Sequence, residues 1–226
     1  MKKLHLLFIF ICLTFSMSLV AQDFKVSINK LTAETQQLSE SPDNLKLVWW
    51  IPIEFWEAVF AQDPNMPQDR ADEILHVFKQ YTLLSTIDGT IGTFGDISYK
   101  TKKQIFNSLE IIDNDNKSFF PLREENIDQK TKEVIDYIKP VLASMLGKMG
   151  ENMYFFLFQN EDDPLDRIID PTTEDKFTVK LGGEKLRWTL PLSSLLKPKK
   201  CPVDNDLMNG GWKYCPFHGV KLESSH

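Results

Sequence analysis

Apolar residues recur along the chain with two periods, and the switches between them mark out its elements. Leu45 to Ile51 is a near-continuous apolar run stopped by Pro52, the pattern of a buried strand. Proline is tolerated in a first helical turn, so Ile53 to Ala61 is expected as a short helix, broken by Asp63-Pro64-Asn65-Met66-Pro67. From Gln68 to Gln80, Ala71, Ile74, Leu75 and Phe78 fall on one helical face. Tyr81 to Ile87 reads as a strand, Asp88-Gly89 as a turn, and Phe94 to Tyr99 as another strand. Thr101 is placed to cap a short helix running through Leu109. Ile111-Ile112 and Phe119-Phe120 flank Asp113-Asn114-Asp115-Asn116-Lys117 and predict a hairpin. Between Asp128 and Gly150, Val134, Ile138, Val141, Leu142, Met145 and Met149 keep helical spacing, and Pro140 is expected to kink or divide that helix. Tyr154 to Phe158 is a buried strand, followed by an acidic loop from Asn160 to Asp175.

The last hairpin is the most sharply specified. Gly182-Gly183 supplies a two-residue turn between Lys176–Leu181 and Glu184–Leu190, which sets Val179 opposite Leu186 and Phe177 opposite Trp188. Apolar meets apolar on that face, so turn chemistry and register agree. The other face pairs Thr178 with Arg187 and Lys180 with Lys185; two facing lysines repel and call for a nearby acid or a bound anion. Strands come in groups between helices, without βαβ alternation or an internal repeat. The expected fold is therefore α+β, a largely antiparallel sheet with helices packed on one side.

The chain begins differently. Lys2 and Lys3 precede an apolar run from Leu4 to Leu13, continued by Thr14 to Ala21, the layout of a secretory signal cut after Ala21. The ending Ser18-Leu19-Val20-Ala21-Gln22 resembles signals of Bacteroidetes-type bacteria, which often cut before a glutamine. Ile11 stands where a lipoprotein signal needs a small residue before Cys12, so a lipid anchor is not expected. Cleavage would leave 24 basic against 32 acidic residues, moving the formal charge from −6 to −8. It would also leave two cysteines, Cys201 and Cys215. No later run approaches the roughly 20 apolar residues of a membrane helix, so no span is expected in the mature chain, which would reside in the periplasm or outside the cell. An acidic balance argues against a nucleic-acid partner, and 42% hydrophobic residues argue against general disorder. The expected layout is a signal over 1–21, a polar, mobile or loosely helical lead-in over 22–44, one core over 45–196, and a basic linker with a tail over 197–226.

That tail carries the one specific motif. Cys201-Pro202-Val203-Asp204-Asn205 is echoed, after a turn at Asn209-Gly210-Gly211, by Cys215-Pro216-Phe217-His218-Gly219. A zinc knuckle places two ligands three residues apart and then asks for left-handed backbone, which glycine supplies freely and asparagine tolerates. The tail resembles a zinc ribbon with knuckles C-P-x-D and C-P-x-H. The resemblance implies Cys201, Asp204, Cys215 and His218 as ligands of a structural zinc ion, with all four positions filled. Asp204 departs from the ribbon pattern, which has cysteine there. The alternative is a Cys201–Cys215 disulfide, natural in an oxidising compartment, closing a loop worth about 3 kcal/mol.

Catalytic motifs are not found. There is no G-x-S-x-G, phosphate-cradling glycine loop or H-E-x-x-H, and the core has one histidine, His76, off the apolar helical stripe. Asp113 to Glu124 fails as a calcium loop, because Lys117 and Ser118 stand where a ligand and glycine are needed. Trp49, Trp50 and Trp56 beside Glu54 and Glu57 could stack on a sugar and offer paired carboxylates. Trp50, Glu54, Trp56 and Glu57 are thus candidate ligand contacts. The Trp49–Trp56 run, Leu190–Leu196 and Trp212–Gly219 together look similar to an uncharacterised family of exported bacterial proteins. The expectation is a non-enzymatic binding or interaction protein of the bacterial envelope, with an unknown protein or glycan partner and a zinc-binding tail. The rival is a carbohydrate-binding or carbohydrate-active protein using the 49–57 cluster.

Overall fold

The computed structural model describes residues 24–160 and 167–224; the expected signal and residues 161–166 of the acidic loop lie outside them. Along the chain the elements are α1 (Ile28–Thr35), β1 (Gln36–Leu38), β2 (Asn44–Ile51), α2 (Ile53–Phe60), α3 (Gln68–Phe78), β3 (Tyr81–Ile91), β4 (Ile97–Tyr99), α4 (Lys102–Phe106), β5 (Leu109–Ile112), β6 (Ser118–Phe119), α5 (Gln129–Met145), β7 (Tyr154–Gln159), β8 (Lys176–Leu181) and β9 (Glu184–Thr189). The tail adds β10 (Lys199–Lys200), β11 (Leu207–Met208) and β12 (Glu223–Ser224). All strand pairs are antiparallel, so the α+β expectation holds. Among the described residues no helix is long and apolar enough to cross a membrane.

β2 and β3 form the spine of a five-stranded sheet. β2 pairs with β3 from Asn44↔Thr90 to Ile51↔Leu83, and β1 extends the sheet beyond β2. The other edge of β3 is shared, with β7 along Tyr81–Thr86 and β4 along Gly89–Ile91. Alternate residues of β2 serve two different layers. Trp49 meets Phe55 of α2 edge-on at 5.4 Å and donates its indole N–H to Thr35 Oγ1 of α1 at 3.2 Å. Trp50, on the opposite face, meets Phe177 of β8 at 5.0 Å. A strand covered on both faces has no need of polar alternation, which explains its near-continuous apolar run. Helices therefore lie on one side of this sheet, with Trp56 stacked on Phe78 of α3, and a second sheet covers the other.

The second sheet has the order β6-β5-β8-β9. Its final hairpin has the expected register, including Phe177↔Trp188 and Val179↔Leu186, and the two aromatic rings stack at 4.9 Å. Lys180 does face Lys185, and the relieving acid is Glu110 of β5, opposite Lys180 in register and 3.0 Å from its Nζ.

Several expectations are corrected. Asp88-Gly89 is not a turn: β3 runs through it to Ile91, and the reversal comes at 92–95, with Gly95 at φ 82°. Asp88 is a buried strand carboxylate held by Lys100 at 2.8 Å, and a Cβ on Gly89 would lie 2.8 Å from Ile97 Cγ2. That glycine marks a close backbone approach rather than a chain reversal. Phe94 belongs to the turn and is exposed, so β4 starts only at Ile97. The Thr101 cap forms with Gln104 as a capping box, but α4 ends at Phe106 because Leu109 is drawn into β5. Helix α5 continues undivided through Pro140. It buries Val134, Ile138 and Leu142, while Val141 and Met145 face outward; it ends at Met145, short of the expected Gly150, and Met149 stands exposed on the 3-10 turn Gly147–Asn152 that follows. The polar lead-in is partly core: α1 buries Leu31 completely, and β1 joins the main sheet.

Candidate metal centre

The tail begins where Lys199-Lys200 enters a small sheet of order β11-β10-β12. Its two Cys-Pro segments fold into the same turn. Asn205 N–H donates to Cys201 O and Gly219 N–H to Cys215 O, each at 2.8 Å. Cys201 N–H donates to Asp206 O at 2.9 Å, and Cys215 N–H to Val220 O at 2.8 Å. Asn205 and Gly219 both sit at φ 66°, the left-handed backbone that the sequence assigns to these positions. Within each turn the next two amides close on the sulfur, those of Val203 and Asp204 on Cys201 and those of Phe217 and His218 on Cys215.

Three of the four expected donors converge. Cys201 Sγ, Cys215 Sγ and a His218 ring nitrogen lie within 4.8 Å of one another, the one such cluster of His, Cys, Asp and Glu atoms among the described residues. His218 Nδ1 is 3.4 Å from Cys201 Sγ and 3.6 Å from Cys215 Sγ. Zinc with bonds of about 2.3 Å to sulfur and 2.0 Å to nitrogen has tetrahedral sulfur–nitrogen edges of about 3.5 Å. The two sulfur–nitrogen distances match such edges, so the three donors lie close enough to bind a metal; the two sulfurs, free thiols here, also lie near the distance of a disulfide, the other expectation for this pair. Asp204 stands slightly apart. Its Oδ1 accepts the Asp206 N–H at 3.0 Å, bracing the first knuckle, while its Oδ2 lies 3.5 Å from His218 Nδ1.

Burial sets the electrostatics of the two thiols. At Cys201 desolvation prevails and lifts the thiol above its ordinary range. At Cys215 desolvation acts in the same sense, but the amides of His218 and Phe217, the imidazole and the Cys201 side chain outweigh it and hold the thiol below that range. Asp204 is lowered, first by the Asp206 amide and further by Cys201 and His218. The sulfurs rest on a tiny apolar core of Met208 and Leu222, with Val220 at its edge. Nothing in the Cys-Pro pattern announced those three side chains; their signal is the alternation in Val220-Lys221-Leu222 after the second knuckle.

The other candidate cluster comes apart. Trp56 is buried among Phe55, Phe60 and Phe78, and Trp50 is buried beneath Phe177, so neither offers a ring face to a sugar. Glu54 and Glu57 do line a cleft of about 390 Å³ at the end of β2, with Trp50 only in its wall. Arg167 neutralises Glu54 at 2.8 Å and also reaches Asp170 at 3.2 Å. Burial, followed by the charge of Glu54, raises the Glu57 carboxyl. Arg167 was invisible to local reading because it lies 113 positions from its partner. His76 is exposed, as expected. Comparisons with family models, curated proteins and solved structures yield no match to this chain.

Proposed function

We propose that the chain is an exported binding protein, without catalytic chemistry of its own, whose C-terminal tail is folded around a structural zinc ion. The observation that supports this reading is the pair of like-folded knuckles that leave two thiols and an imidazole close enough to bind one metal ion. Asp204 Oδ2 is the nearest further donor and completes a closed set, which leaves no position for a substrate water. The metal then has a folding role. A tail whose own core is four buried side chains, two of them the cysteines, has little besides a metal to hold its two knuckles together. Export rests on the leader pattern at 1–21, and an envelope partner follows from export.

Metal content and thiol titration on the chain from Gln22 onward test the metal. One zinc per chain, with two thiols that react only after chelation, is the expected result. No metal and no titratable thiol would mean a Cys201–Cys215 disulfide and would overturn the zinc centre.

A further inference from the structure

Four of the five tryptophans, Trp49, Trp50, Trp56 and Trp188, are buried, while Trp212 is 45% exposed. It lies along an open groove of about 610 Å³ where the tail meets the second sheet, lined also by Asn114, Glu174, Asp175, Lys176 and Asn209. We propose that this groove binds a saccharide chain, with the Trp212 indole as the stacking platform. The proposal deepens the binding role above by naming a ligand class, and it rests on that role rather than on the metal.

The turn that carries the indole is held in place before any ligand arrives. The Trp212 backbone N–H donates to Asn209 O at 3.1 Å, and the Trp212 carbonyl accepts from Lys199 Nζ at 2.8 Å. A backbone already ordered lowers the cost of ordering on binding. Gly210 seats the turn against the linker so closely that a Cβ there would meet Lys197 O at 2.4 Å. Of the acids that line the groove, Asp175 is accompanied by Lys176 and Glu174 is paired with Lys213 from beside the lining, at 3.3 Å. With no net charge, the groove does not select an ion. It is also too open and polar for a wholly apolar ligand, which needs an enclosed pocket. What remains is a ligand with an apolar face and a polar rim, which is the character of a pyranose ring. Asn209 spends its Oδ1 on the Gly211 N–H at 2.8 Å, leaving its amide N–H groups as hydroxyl-binding donors. An open groove suits interior units of a chain better than a single sugar.

The test is a pull-down of the chain from Gln22 onward, metal content measured, on insoluble chitin, cellulose, xylan and purified peptidoglycan. The expected result is retention on at least one of them. Trp212→Ala should lower the bound fraction at least tenfold, and Trp212→Phe, which keeps a ring, should stay within about fivefold of the parent. Phe94→Ala, which removes a more exposed aromatic outside both the groove and the knuckles, should change nothing. Retention on none of the four overturns the proposal. So does equal loss in the Trp212→Ala and Phe94→Ala variants, which would mean unspecific apolar adhesion, or loss in Trp212→Phe as deep as in Trp212→Ala. A metal-free chain retained through Trp212 would uphold the groove and overturn the zinc centre; a zinc-loaded chain that ignores every polysaccharide would do the reverse.

Discussion

Asp204→Asn separates the two jobs of one carboxylate. Oδ1 braces the knuckle through the Asp206 N–H at 3.0 Å, and asparagine keeps a carbonyl oxygen for that bond. Oδ2 faces His218 Nδ1 at 3.5 Å, and asparagine replaces it with an amide nitrogen that cannot coordinate. The substitution therefore removes a donor and leaves the turn standing. Structural zinc sites bind with about 10–16 kcal/mol, so one donor in four is worth about 2.5–4 kcal/mol, or roughly a hundred- to a thousandfold in affinity. Competition against a chromophoric chelator at pH 7 reads that change directly, and cobalt substitution reports whether tetrahedral geometry survives. Affinity within about threefold of the parent would refute the reasoning: Asp204 would then be only a surface partner of His218, and three protein donors would hold the ion. His218→Ala in the same assay should weaken binding at least as much, because its nitrogen lies at bonding-edge distance from both sulfurs.

Four further substitutions, at three places, probe the frame that carries the tail. Glu184→Gln strips the partner from Lys46, whose side chain is 6% exposed and 2.8 Å from Glu184, and should cost about 2–4 kcal/mol in urea unfolding; Lys46→Met should cost less, and a loss below 0.5 kcal/mol for Glu184→Gln would show that the pair does not hold the hairpin. Leu31→Ala should cost about 2–5 kcal/mol, since this fully buried side chain anchors α1, and a neutral result would return α1 to the status of a loose lead-in. Asp128 caps α5, and its carboxyl is held below the ordinary range chiefly by the Thr131 hydroxyl and amide. Its contribution is therefore complete above the unfolded value near pH 4 and disappears as pH falls through the lower folded value. Asp128→Ala should cost about 1 kcal/mol at pH 7, with the gap to the parent closing as pH falls below the unfolded value and through the lower folded one; a gap independent of pH would refute it.

What could be read from the sequence was local in origin. The Gly182-Gly183 turn and the alternation on either side fixed the register of β8 and β9, and the Cys-Pro echoes fixed both left-handed positions of the tail. What escaped was decided by distant contacts. Asp88-Gly89 has the chemistry of a turn, yet Lys100 and the approach of Ile97 hold it inside β3. Val141, Met145 and Met149 keep helical spacing, yet the packing of α5 ends its inward stripe at Leu142. Trp50 and Trp56 resembled sugar platforms because sequence reports an aromatic side chain and not what covers it; Phe177 closes over Trp50 from far along the chain, and Trp56 is packed by its neighbours Phe55 and Phe60 and by Phe78 of the next helix.

The polarity of the lead-in has the same explanation, and it bears on how the tail is presented. Gln37 uses both ends of its carboxamide on the backbone of Arg187, accepting its N–H at 3.2 Å and donating to its carbonyl, so a side chain stands in for a neighbouring strand on β9. An unpaired strand edge invites pairing with other chains, and this contact blunts it. Glu34 accepts from Ser194 N–H at 3.0 Å and Ser194 Oγ at 2.6 Å, and from the Ser193 hydroxyl, immediately before the basic linker. Residues that look like solvent-facing filler are thus the ties between the first helix, the second sheet and the root of the tail. With Gly210 seated on Lys197, the tail is braced at its root independently of its thiols. The knuckles therefore need only a local staple, and two sulfurs and an imidazole close enough to bind one metal ion are placed to provide it.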